Sequence, residues 1–154
     1  MVAGIDKIDR KILAALQEDA SRSAAEIADV VGLSQSPCWR RIQQLKEQGY
    51  IHKVVALLNR DKLGLKAQLF VQIKMDKNDQ ASLADFSRKI REFPEVLECH
   101  AVLGAFDYLL RVVTKDMHAY ETFFFEKLSH VDNIREVHSF VAVAEVKSTT
   151  AVPL

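Results

Sequence analysis

The sequence predicts an α+β chain of two small domains, three helices followed by a βαββαβ unit. Three observations carry that prediction. Apolar residues recur every three or four positions through the first fifty residues. They then alternate or cluster in short β-branched runs separated by turn signals. Between the two patterns lies a polar stretch, NRDKLGLK, with Gly64 as its hinge. The expected division is residues 1–58, a linker at 59–66, and residues 67–154.

The first helix places Ile5, Ile8, Ile12, Leu13 and Leu16 on one face, with Asp6 as its N-cap. The second opens on Ser23 with Glu26 three residues later, a capping box. Ala24, Ile27, Ala28 and Val31 form its apolar face, and Gly32 stands where a helix needs a left-handed residue. A short turn leads to the third helix, Ser34 to Gln48. Ser34 is its N-cap candidate. Pro37 sits in the first turn, where a missing amide hydrogen costs nothing. Cys38, Ile42 and Leu45 make the buried stripe, and Gly49 ends the helix. The run YIHKVVALLN then reads as a strand or hairpin arm.

In the second half AQLFVQIKM is a strand and SLADFSRKIREF a helix stopped by Pro94. EVLECHAVLG and AFDYLLRVVT are two strands meeting at Gly104. DMHAYETFFFEKLSHV is a helix with Asp116 near its start, and IREVHSFVAVAEVK a long final strand. This is the order of a ferredoxin-like domain. The Phe123–Phe125 run is too wide for one helix face, so at least one ring should be exposed, which suggests a subunit interface.

Composition excludes several classes. No apolar run approaches 18 residues, so no membrane helix is expected. The start carries charges where a signal peptide needs an apolar stretch, which predicts a cytoplasmic protein. Cys38 and Cys99 show no CxxC or zinc spacing and read as reduced core thiols. Cys99, His100 and Asp107 form no recognised catalytic spacing, and alternation puts Cys99 and His100 on opposite strand faces. An enzyme is therefore not expected, nor a metal or cofactor. Residues 1–66 carry 11 Lys and Arg against 8 Asp and Glu, a net +3, whereas residues 67–154 carry net −3. The sign favours an anionic partner for the first half.

A helix-turn-helix lays its second helix in the major groove of double-stranded DNA. Ser34, Gln35, Ser36, Trp39, Arg40 and Gln43 point away from the buried stripe of the third helix. Gln35 and Arg40 have the reach and donors for adenine and guanine edges. Arg41, Lys46 and Lys53 suit phosphates, and Ser34 with the helix N-terminus suits one more. Trp39 fits two readings, a groove contact or packing beside the first helix.

Two stretches resemble the Lrp/AsnC family, the feast/famine regulators: the opening DKIDRKIL and VGLSQSPCWRRIQQLKEQGYI. In the second half VLECHAVLGAFDYLLRV resembles the family's hairpin and SFVAVAEVK its last strand. The resemblance implies a winged helix-turn-helix and a ferredoxin-like domain that binds an amino-acid effector. It implies homodimers formed through the sheets and assembly to octamers. It also implies an effector between subunits near the G-x-F-D-Y turn, present as Gly104, Ala105, Phe106, Asp107 and Tyr108. Met117 and Phe140, Val141 and Ala142 match the region that shapes the pocket in leucine-responsive members. Phe140 in place of tyrosine and Ala142 in place of valine weaken a leucine preference. Asp107 is the candidate partner of an effector ammonium, or else it only orders its own turn.

Overall fold

A computed structural model describes residues 4–154 of the chain and divides it into two units. One holds the described residues up to Leu57 together with Lys147–Leu154; the other holds Leu58–Val146.

The helical unit contains α1 (Lys7–Glu18), α2 (Ala24–Val31) and α3 (Gln35–Glu47). Asp6 caps α1 by accepting the amides of Ile8 and Asp9, while the Asp9 carboxylate accepts the Asp6 amide. Ser23 and Glu26 close the same reciprocal box on α2. Gly32 then turns the chain at φ +75°, a conformation that strains any residue with a β-carbon. That turn lets α3 begin after only three intervening residues, Gly32 to Ser34. Ile12, Leu13, Ile27, Val31, Cys38 and Leu45 bury against one another as the core of the three helices. Full burial of such side chains contributes about 1.5–3 kcal/mol each.

The expected strand at Tyr50–Asn59, and with it the wing, is a correction: among the described residues this stretch has no regular secondary structure. Its Val54, Val55, Leu57 and Leu58 are exposed. A strand needs another extended backbone beside it; here the Tyr50 and Ile51 amides donate to the Leu45 carbonyl at the end of α3 instead, and no strand of this unit runs alongside the rest among the described residues.

The second unit begins with a hydrogen-bonded turn. Asn59 accepts the Leu63 and Lys62 amides through its backbone and side-chain oxygens, and Arg60 accepts that of Leu65. The elements that follow are β1 (Ala67–Met75), α4 (Gln80–Arg91), β2 (Val96–Ala101), β3 (Tyr108–Thr114), α5 (Met117–Glu126) with a 3-10 turn at Leu128–His130, and β4 (Ile134–Val141). The sheet order is β2-β3-β1-β4, antiparallel throughout. Leu69, Val71, Ile73, Leu110 and Val112 face the helices and are fully buried with Phe86 of α4 and Phe123 of α5. The alternate residues point to the other face, where Phe70 and Phe140 pair across β1 and β4 and remain exposed.

Two further expectations change. The final strand stops at Val141 rather than Lys147. β1 supplies the partner backbone only as far as Gln68, whose carbonyl accepts the Ala142 amide, and beyond it nothing remains to pair. Cys38 is a buried thiol, but Cys99 is not a core residue. It lies in the edge strand β2 and is exposed, although desolvation still pushes its thiol up to about 11. In the aromatic run, Phe123 is buried, Phe124 half-buried and Phe125 exposed.

Candidate nucleic-acid interface and ligand site

The outer face of α3 presents Ser34, Gln35, Ser36, Trp39, Arg40 and Lys46 as exposed residues; Gln43 is half-buried. Ser34 holds the N-cap position with extended backbone, yet its hydroxyl makes no capping bond. The chemistry is plain: an N-cap oxygen reaches the second or third amide of the helix, and the third residue here is Pro37, which has none. The first turn is left without a side-chain acceptor of its own, which suits an anion placed there from outside.

Arg40 and Arg41 are neighbours with different surroundings. Arg40 is exposed. Arg41 is half-buried, and one of its guanidinium nitrogens donates to Asp6 at 2.7 Å and to Asp9 at 2.8 Å, both at the start of α1. The two hydrogen bonds raise the Arg41 pKa, that of Asp9 contributing most. The Asp9 amide is the main reason the Asp6 carboxyl lies below its ordinary value; desolvation opposes it, and the Arg41 side chain adds to the lowering. The α1 cap and α3 are thus tied through one guanidinium. Trp39, Gln43 and Lys46 lie one above another on α3 and line a cleft beside it, as does Lys53 of the irregular stretch that follows.

In the sheet unit, Gly104 takes φ +148° in the turn between β2 and β3, and open space lies where a β-carbon would stand. Asp107 is knitted into the sheet. Its Oδ2 accepts the Met75 amide at 2.7 Å and its Oδ1 accepts Lys74 Nζ at 3.2 Å. Its backbone amide donates to Ile73, and its carbonyl accepts the Val102 amide. The Met75 amide is the main reason its carboxyl is held below the ordinary range, with Lys74 adding to it. Phe106 packs edge-on to His138 at 5.3 Å. The Tyr108 ring faces the helices and lies 4.3 Å from Phe86.

The nine ligand-site candidates fall into two groups within the chain. Gly104–Tyr108 sit beside Ile73–Met75 at one end of β1. Phe140, Val141 and Ala142 sit beside Gln68–Phe70 at the other. Met117 follows β3 at that second end, with 42% of its surface exposed. Met75, beside Asp107, and Phe70, beside Phe140, are five positions apart on β1, a span of about 17 Å at strand rise, while Ile73, the partner of Tyr108, is three positions from Phe70, about 10 Å. Lys74, which holds one Asp107 oxygen, was absent from the candidates read from sequence. Alternation puts it on the open face of β1, but only the β1–β3 register brings it to Asp107. Asp6 was legible as a helix cap but not as a partner of Arg41, and the role of Asp9 in the cap and in that tie emerges only from the structure.

Comparison with known proteins gives a consistent result. The model of the Lrp/AsnC ligand binding domain matches residues 68–152, and that of the AsnC-type helix-turn-helix domain matches residues 5–46. A protein of Rhizobium radiobacter named a proline dehydrogenase transcriptional activator is 39% identical, over 94% of this chain and 93% of its own. A crystal structure of an AsnC family transcriptional regulator from Agrobacterium tumefaciens has a TM-score of 0.93 at 44% identity, with 97% of both chains covered. A transcriptional regulator of Neisseria meningitidis, solved as a complex with L-Met, has a TM-score of 0.94 at 35% identity, again over 97% of each chain.

Proposed function

The chain belongs to the Lrp/AsnC family of transcriptional regulators, and from that premise we propose how its residues read DNA and sense an amino acid. It is a DNA-binding regulator with a ligand-binding domain, not an enzyme. The observation that carries the DNA reading is the exposed, uncapped start of α3. Ser34, Gln35, Ser36 and Arg40 meet base edges, and the free first turn receives a phosphate. Lys46 and Lys53 neutralise further phosphates. Arg41 acts through the helix it holds: its tie to Asp6 and Asp9 sets the angle at which α3 meets the groove.

The effector is a small amino acid bound between two copies of the chain. Two observations support this. A relative of nearly full coverage was solved as a complex with L-Met, and Asp107, bound to Met75, and Phe140, paired with Phe70, stand about 17 Å apart along β1 at strand rise. A second copy laid sheet against sheet supplies the missing group, burying Phe70 and Phe140 as it does so. Such dimers then assemble to an octamer. Asp107, already bound by Met75 and Lys74, keeps Gly104–Phe106 in place and offers its remaining lone pairs to an ammonium.

Gel-shift titration at two salt concentrations tests the DNA part. Binding that weakens steeply with salt is expected, and Arg40→Ala should weaken it; unchanged binding by that variant removes α3 from the interface. A thermal-shift screen of the twenty amino acids tests the effector part. A shift by one or a few of them is expected, and no shift by any contradicts it.

A further inference from the structure

The Gly104–Tyr108 turn is braced by side chains of two other strands, β1 and β4. Lys74 of β1 donates to Asp107 Oδ1 at 3.2 Å. Glu136 of β4 stands opposite Lys74 in the β1–β4 register. Its Oε2 lies 3.5 Å from Nε2 of His138, two positions further along β4. The His138 ring meets the Phe106 ring, with centroids 5.3 Å apart and planes at 65°. Phe106 and Asp107 are consecutive, so one side chain of the turn ends on His138 and the next on Lys74.

The contact to His138 is the longer reach. The sheet order β2-β3-β1-β4 puts β1 between β4 and β3, the strand into which the turn runs. Neighbouring strands lie about 4.7–4.9 Å apart, so the half-buried Phe106 crosses the width of β1 to touch β4. Asp107 ties the backbone of the turn to Ile73 and Val102. Gly104 takes φ +148°, and Leu103 before it is fully exposed. The turn is thus anchored at its end and open at its tip, and the place of the Phe106 ring depends on what it meets across the sheet. His138 also stands two positions before Phe140, on the same open face, with Gln72 and Phe70 as their partners on β1. It therefore lies between the two groups of ligand-site candidates and touches one of them.

We propose, on the placement of the amino-acid site at the Gly104–Tyr108 turn, that His138 is a positioning residue for that site: its edge-on contact holds the Phe106 ring over β1 in the pose that walls the ligand. Aromatic pairs favour such tilted, edge-to-face packing, and Glu136 beside Nε2 helps to orient the imidazole. Without the ring of His138, Phe106 is free to leave its rotamer, and the ligand has to order it on binding.

The test uses the full chain and, as probes, L-methionine and the other nineteen amino acids, with affinity measured by calorimetry for each one that binds the parent. His138→Gln keeps a polar group near Glu136 but removes the ring, and it should weaken binding about fivefold, the size of one aromatic edge contact. His138→Phe keeps a ring and should bind within about twofold of the parent by the same measure. Phe106→Leu should weaken binding as His138→Gln does, and combining the two should add nothing further. The mass by light scattering should match the parent in each variant. A nuclear Overhauser contact between the Phe106 and His138 rings should be present in the ligand-free chain, and its absence overturns the brace whatever binds. Binding that His138→Gln leaves unchanged overturns the role of His138 alone. Equal losses in His138→Gln and His138→Phe with a reduced mass overturn it too, and assign His138 to the subunit interface. Failure of every amino acid to bind the parent overturns the site itself, and the positioning role with it.

Discussion

The two units bury apolar surface to different degrees. The three helices enclose Ile12, Ile27, Cys38 and Leu45 on all sides and turn a polar face outward on α3. The sheet is sealed on one face by α4 and α5, while its other face leaves Phe70 and Phe140 bare. A helix needs one apolar stripe covered, and two neighbours suffice. A sheet has two faces, and two helices cover only one of them. The difference teaches where each function resides. In the proposed reading the DNA-reading face is complete within one chain, whereas the ligand site and the open sheet face are completed by a second copy.

Several variants break or sharpen that contrast. Ile27→Ala should have the largest effect, because it opens a cavity in a core that has no partner to refill it. A loss of about 2–5 kcal/mol in unfolding free energy is expected by denaturant titration; a loss near zero would mean the helical core is not self-contained. Phe70→Asp should leave the fold intact, since 38% of the residue is already exposed in one chain. It should reduce the mass seen by light scattering to that of a monomer, and an unchanged mass would place the interface elsewhere. Arg40→Ala should cost about 1–3 kcal/mol in DNA affinity and relax preference at one base pair. Arg41→Ala should instead lower the melting temperature of the helical unit, with affinity falling through the altered pose of α3.

The smallest effect is the acid limb of stability. Asp6 titrates below its ordinary value near 3.8 in the folded chain. Its contribution is then fully present above that value and is lost as pH falls through the lower folded one. In Arg41→Ala part of this dependence should vanish, visible as a shallower loss of stability at acid pH. An acid limb identical to that of the parent would mean that the tie does not hold Asp6.

Much of this architecture was legible in the sequence because it depends on neighbours in the chain. Asp6, Ser23 with Glu26, and Gly32 announce helix ends through local hydrogen bonding and backbone conformation, and the structure forms each of them. The Cys38–Ile42–Leu45 stripe was legible from its 3.6-residue period. The misreadings have a common origin in pairing. Tyr50–Asn59 and Ala142–Lys147 are β-branched and apolar, as strands are, but a strand exists only where another backbone meets it. The Arg41 tie and the Lys74–Asp107 contact lie 32 to 35 and 33 residues apart in sequence. No periodicity encodes such distances. His138 lay equally out of view, since its contact with Phe106 exists only once β1 and β4 are paired.

The contrast between a finished helical unit and an unfinished sheet is tested most directly by measuring amino-acid binding in a monomer. Thermal shifts should be recorded with the twenty amino acids for the parent chain and for Phe70→Asp, with folding checked by circular dichroism. The parent should be stabilised by its effector, and the folded monomer should show no shift with any of them. A monomer stabilised as strongly as the parent would mean that one chain holds the whole ligand site, and would contradict the account.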